Sequence, residues 1–269
     1  MNEVLQRLVV TIFVISLLFS GCVTTGSPLI KASSYGDYQK VEALLNEGAD
    51  VNARNEKNLT PLMIASSKGD LKSVRLLLDH GASVNLKGDL NITAIWIASA
   101  IGDVSVVEAL IQEGADVNIK AKSGYTPLIA ALSKDHVEVA LILIENGADV
   151  NMATEYGYTP LHSAAYHGHN AIIRKLLIQG ANINAREFFA HQTPLICAAI
   201  SGHADTVKLL LDNGADPNAK EKNGCTAVMH AWSKGHKNTV DILINAGAVL
   251  DKDLSKCRTK ALTPSDFGL

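Results

Sequence analysis

Nine histidines and four cysteines are the side chains of this sequence best equipped for chemistry. His167-Gly168-His169 has the spacing of a small chelate, yet no nucleophile–base pair, paired-carboxylate motif or phosphate-binding loop stands out along the chain. Cys197, Cys225 and Cys257 are an odd number once Cys22 is set apart at the end of an apolar run, so no full disulfide framework closes. Cys225 and Cys257 lie 32 residues apart, and their pairing stays open. Formal net charge is −3, which offers no basic field to a phosphate backbone. The residues therefore argue against an enzyme, a nucleic-acid partner, a metal and any cofactor, and leave binding as the function to be sought.

What could bind is the aromatic set. Eleven aromatic residues follow the N-terminal apolar run, and their positions depend on the elements that carry them. Those elements repeat. Gly-Ala pairs occur at Gly48, Gly81, Gly114, Gly147, Gly180, Gly214 and Gly247, in steps of 33, 33, 33, 33, 34 and 33 residues. A second marker runs in register with them: Ser27-Pro28-Leu29, Thr60-Pro61-Leu62, Thr93-Ala94-Ile95, Thr126-Pro127-Leu128, Thr159-Pro160-Leu161, Thr193-Pro194-Leu195 and Thr226-Ala227-Val228.

Each part of the repeat has a physical reason. Thr60 can cap a helix N-terminus, and Pro61 occupies the first helical position, where no N–H is needed. Leu62 and Ala65 then share one face of a short inner helix. The recurring Ala65, Ala98, Ala131, Ala164, Ala198 and Ala231 allow two helices to approach closely. Gly69, Gly102, Gly168, Gly202 and Gly235 suit a reversal with positive φ, and Asp135 stands in that column in the fourth copy. Leu71, Val74, Leu77 and Leu78 make the apolar stripe of an outer helix, and Gly81 ends it.

Thr159-Pro160-Leu161-His162-Ser163-Ala164 and its in-phase copies resemble the ankyrin repeat, from Ser27 to about Leu250. The resemblance implies an all-α ankyrin-repeat solenoid of about seven stacked pairs of antiparallel helices joined by hairpin-like turns. No single copy encloses its own apolar face, so stability is nearly a sum of neighbour terms. The expected boundaries are 27–59, 60–92, 93–125, 126–158, 159–192, 193–225 and 226–250, with 251–269 a cap or a truncated eighth copy. The resemblance also implies that His162, His136, His169, His203 and His236 hold turns through backbone bonds rather than metal. Trp96, at the signature histidine position, is expected to pack, and Trp232 to cover the open end.

In ankyrin proteins partners bind the turn tips and the exposed face of the inner helices. Those positions hold Tyr35, Tyr125, Tyr156, Tyr158, Tyr166, His167, Phe188, Phe189 and Ile200, which include seven of the eleven aromatics. Aromatic side chains supply large contact area with few rotors. The expected partner-binding residues are Tyr125, Tyr156, Tyr158, Tyr166, His167, Phe188 and Phe189. Tyr156, Tyr158, Phe188 and Phe189 are expected to be well exposed, the last two on a turn with one extra residue.

The N-terminus is a separate object. Arg7 precedes an apolar run from Leu8 to Phe19, which at 12 residues is short for a membrane-spanning helix of ~20 and suits a signal peptide. Leu18-Phe19-Ser20-Gly21-Cys22 resembles the bacterial lipobox, with Phe19 departing from the usual leucine. This implies a signal peptide at 1–21, lipidation of Cys22 and a tether at 22–26. Val23 after Cys22 resembles lipoproteins sent to an outer membrane. The sequence thus points to a non-catalytic protein-binding scaffold tethered to a bacterial envelope membrane. The alternative is a protective or inhibitory binding protein for an envelope enzyme or toxin.

Overall fold

A computed structural model describes residues 26–251 and Cys257. Cys22 and the proposed signal and tether lie outside the described residues, as do most of 251–269. The described residues form helix pairs and no strand. They divide into two compact units, one reaching Ala148 and one beginning at Asp149.

The first unit holds four pairs: α1 (Pro28–Tyr35) with α2 (Tyr38–Asn46), α3 (Pro61–Ser67) with α4 (Leu71–Asp79), α5 (Ala94–Ile101) with α6 (Val104–Gln112), and α7 (Pro127–Ser133) with α8 (Val137–Glu145). The second holds three: α9 (Pro160–His167) with α10 (Asn170–Ile178), α11 (Pro194–Ser201) with α12 (Ala204–Asp212), and α13 (Ala227–Lys234) with α14 (Lys237–Asn245). Within each unit, inner helices pack on inner helices and outer on outer.

The inner helices start where the second marker predicts. Thr60, Thr93, Thr126, Thr159 and Thr193 are extended, and each hydroxyl accepts the N–H three residues on. The alanine column is fully buried, as are Val74 and Leu77 of the outer helix α4. The inner-to-outer reversal is left-handed in every copy, and Asp135 adopts it at φ 68°.

A second ladder locks the copies together. In the first unit the Asn85 side chain donates to Gly114 O (3.0 Å) and accepts from Asp116 N (2.8 Å). In the second, Asn151 donates to Gly180 O (3.0 Å) and accepts from Asn182 N (2.9 Å), and Asn218 does the same to Gly247 O and Val249 N. Each such bond contributes on the order of 1 kcal/mol. Asn therefore closes the outer-helix turn of the following copy, which explains its recurrence four residues after the glycine of the first six Gly-Ala pairs.

Cys225 and Cys257 form a disulfide, with Cα atoms 5.7 Å apart, and Cys197 is free and buried. Simple translation by one repeat would separate equivalent tips by ~8–10 Å, beyond disulfide reach. Cys257 nevertheless lies against Cys225.

Candidate partner-binding surface

The candidate surface lies on the turn tips of the second unit. Thr154 organises the first tip: its hydroxyl accepts Tyr156 N (3.3 Å) and Tyr158 N (3.2 Å), and its own N–H donates to Tyr158 O. Gly157, at φ 78°, makes the bend, and the Phe188 ring lies so close that a Cβ there would sit 2.8 Å from it.

The next tip is built round a buried carboxylate. Glu187 has no exposed surface and accepts three backbone N–H groups, from Phe189 (2.7 Å), Ala190 (2.7 Å) and Gln192 (3.0 Å). This holds the lengthened turn and aims its two phenylalanines outward. Phe188 N donates to Tyr156 O (2.8 Å), and Lys222 N donates to Ala190 O (2.8 Å), so three successive tips are tied edge to edge. Phe188 is 67% exposed and Phe189 42%. Tyr156, half-buried, meets Phe189 with ring centroids 5.2 Å apart. The result is a small, rigid aromatic patch made of Tyr156, Phe188 and Phe189.

Four of the seven expected contact residues do not belong to it, two because they are buried and two because they lie elsewhere. Tyr125 (3% exposed) and Tyr158 (1%) are core residues, and this corrects the sequence reading. Both occupy the position immediately before the helix-capping threonine. Leu59, Ile92, Gln192 and Cys225 share that position and are all buried as well. The backbone there is already turning into the inner helix and directs the side chain inward.

Tyr166 and His167 lie at the other end of α9, about 10 Å along the helix axis from the tips. They are half-buried and pack edge to face at 5.3 Å, with His167 stacked on His169 at 5.7 Å. The structure therefore does not gather them with the phenylalanines. Tyr35 is 74% exposed in the first unit. Trp96 packs in the core as expected, whereas Trp232 leaves 53% of its surface open.

Three of the five histidines, His162, His203 and His236, bond to the backbone of a neighbouring copy as the resemblance implies. His162 Nδ1 accepts from Thr159 N (3.2 Å), and Nε2 donates to Gln192 O (3.1 Å), a bond from one copy to the next. Burial pushes its pKa down to about 4, despite that carbonyl favouring the charged ring, so the imidazole is neutral near pH 7. His203 Nε2 meets Tyr166 O at 3.0 Å and His236 Nε2 meets Ile200 O at 3.2 Å, in the same copy-to-copy manner.

Sequence reasoning missed a buried polar cluster in this unit. Gln192 Nε2 donates to Glu221 Oε1 (2.7 Å), and His230 Nε2 lies 3.1 Å from the same oxygen. Burial raises the Cys197 thiol pKa, and the fields of Glu187 and Glu221 raise it further. The available signal was two glutamates in one repeat column, where earlier copies hold Asn55, Gly88, Ala121 and Thr154.

Comparison with known proteins agrees with this architecture. A family model described as Ankyrin repeats (3 copies) matches residues 7–88, 94–187 and 185–254. No curated protein matches the chain. The crystal structure of the human ASB11 ankyrin repeat domain is similar, with a TM-score of 0.70 at 24% identity, covering 84% of this chain and all of that one. Ankyrin repeats are in general non-catalytic and bind proteins, and no enzymatic family is indicated. With seven in-phase copies, threonine-capped inner helices and a family match over most of its length, the chain belongs to the ankyrin-repeat family.

Proposed function

We propose that this chain is a non-catalytic scaffold that captures a protein partner through Tyr156, Phe188 and Phe189 while a lipid on Cys22 tethers it to a bacterial envelope membrane. The observation that carries the binding reading is the two exposed phenylalanines on a turn whose backbone is fixed by Glu187. A pre-ordered aromatic pair loses little entropy on binding. Outward aromatics are also costly to keep in water unless a partner covers them. The tether reading rests on the lipobox-like Leu18–Cys22 and the apolar run before it. Four residues, 23–26, separate Cys22 from the first repeat, a reach of at most ~15 Å. Partner access then falls to the later copies, where the patch lies.

Two experiments test the proposal. Phe188→Ser with Phe189→Ser should leave helix content unchanged and abolish crosslinking to the partner in detergent extracts, with mass spectrometry identifying what is lost. Unchanged capture by the double variant would remove the patch from the function. Cys22→Ser should abolish acyl labelling and release the protein from the particulate fraction or leave an uncleaved precursor. Persistent acyl labelling would end the tether reading without touching the binding one.

A further inference from the structure

The buried end of the second unit contains a set of donors that the partner-binding reading does not use. Glu221, Cys225 and His230 each point one ligand atom into a common space, with all three atoms within 4.8 Å of one another. All three residues are buried. His230 Nε2 approaches Glu221 Oε1 at 3.1 Å, yet Nε2 has no hydrogen-bond partner despite being shut off from water. A buried nitrogen left so is costly. Two ligands of one tetrahedral zinc ion, with bonds near 2.0 Å, stand about 3.3 Å apart. The Glu221–His230 approach has that spacing without being a hydrogen bond. Glu221 is further fixed by the Gln192 side chain at 2.7 Å, as a ligand carboxylate is normally held by a neighbour.

A fourth donor is present. Cys257 is buried and bonded to Cys225, so its sulfur lies at the same place. We propose that, when the Cys225–Cys257 bond is reduced, Glu221, Cys225, His230 and Cys257 together bind one zinc ion. Reduction by a dithiol transfers two electrons and two protons to the cysteine pair, and the dithiol leaves as its own disulfide. Zinc then displaces the two thiol protons, and the sulfurs move apart to about 3.8 Å as tetrahedral ligands at 2.3 Å. The ion sits on the buried carboxylate of Glu221, and its charge offsets that one. Either form staples Cys257 to the last full repeat: a disulfide under oxidising conditions, a zinc thiolate under reducing ones.

The test uses the full chain, reduced with a phosphine, stripped with a chelator and titrated with zinc against a chromogenic competitor. One equivalent should bind, and cobalt in its place should give the intense visible bands of a tetrahedral thiolate site. The oxidised chain should take up none. His230→Ala and Glu221→Gln should each weaken binding at least tenfold. Cys257→Ser, which lies outside the helix pairs, should weaken it while leaving helix content intact. The proposal fails if the reduced wild-type chain, still helical, does not bind a stoichiometric ion. It fails equally if His230→Ala and Glu221→Gln bind zinc as tightly as wild type, since free thiols alone would then account for the metal.

Discussion

Glu187→Gln probes how the phenylalanine turn is held. The carboxylate divides its work: Oε1 accepts Ala190 N and Gln192 N, and Oε2 accepts Phe189 N alone. A glutamine can keep the first pair by placing its carbonyl oxygen at Oε1. Its NH2 then faces the Phe189 N–H across 2.7 Å, donor against donor, and that bond is lost. A hydrogen bond to a charged acceptor contributes about 1.5–3 kcal/mol. Global stability should change by less than this, because removing one of two neighbouring buried carboxylates relieves desolvation and repulsion. The local signal is therefore the decisive one. Native-state hydrogen exchange should quicken at the Phe189 amide by about 10- to 100-fold, at 1.4 kcal/mol per decade. Ala190 and Gln192 should change several-fold at most. Equal acceleration at all three amides, or none at Phe189, would refute the claim that Glu187 sets the turn by this division of bonds.

Other expectations follow from the same geometry. Asp135→Gly removes a Cβ from a left-handed site (φ 68°) and should stabilise by at most about 1 kcal/mol after the gain in unfolded-chain entropy, whereas Gly202→Ala should cost about 2–4 kcal/mol, because its Cβ would also stand 2.6 Å from His236 Nδ1. Urea midpoints measure both, and a clear loss from Asp135→Gly would mean that the fourth copy depends on its carboxylate. His162, held neutral down to about pH 4, should make the second unit weaken in acid. Unfolded imidazole takes its proton near pH 6.5, so stability is complete above that value and declines as pH falls toward 4, by roughly 3 kcal/mol in all. Denaturant titrations at pH 7 and 4.5 should show a smaller acid loss in His162→Gln, and an identical loss would exclude this histidine as a cause. Reducing the Cys225–Cys257 bond without added metal should loosen the last repeat by up to about 4 kcal/mol, the entropy of a loop of this length. Exchange at the α14 amides reads that loss, and unchanged protection there would show that the disulfide contributes nothing.

The repeat was legible in the sequence because its determinants are local. A threonine before proline starts a helix at each described occurrence, and a glycine column marks a reversal that other residues resist, so helix order could be read without knowing any contact. Asp135 follows the same logic: it stands in the glycine column, and its backbone is left-handed. Aromatic exposure was not legible in this way. Tyr158 and Phe188 both belong to turn tips, yet one is buried and the other open, because position relative to the helix cap decides which way a side chain points. The column before each threonine, Leu59, Ile92, Tyr125, Tyr158, Gln192 and Cys225, reads as inward-facing only when all copies are taken together. The last two members then depended on tertiary structure alone. Gln192 needs Glu221 from the next copy to satisfy its amide, and Cys225 needs Cys257 at a distance no repeat period specifies. Spacing along the chain determined the helices and their reversals, which follow from backbone torsions and nearby hydrogen bonds. The aromatic patch and the Glu–His–Cys cluster arise from side chains of different copies meeting in space, and only packing decides which of them meet.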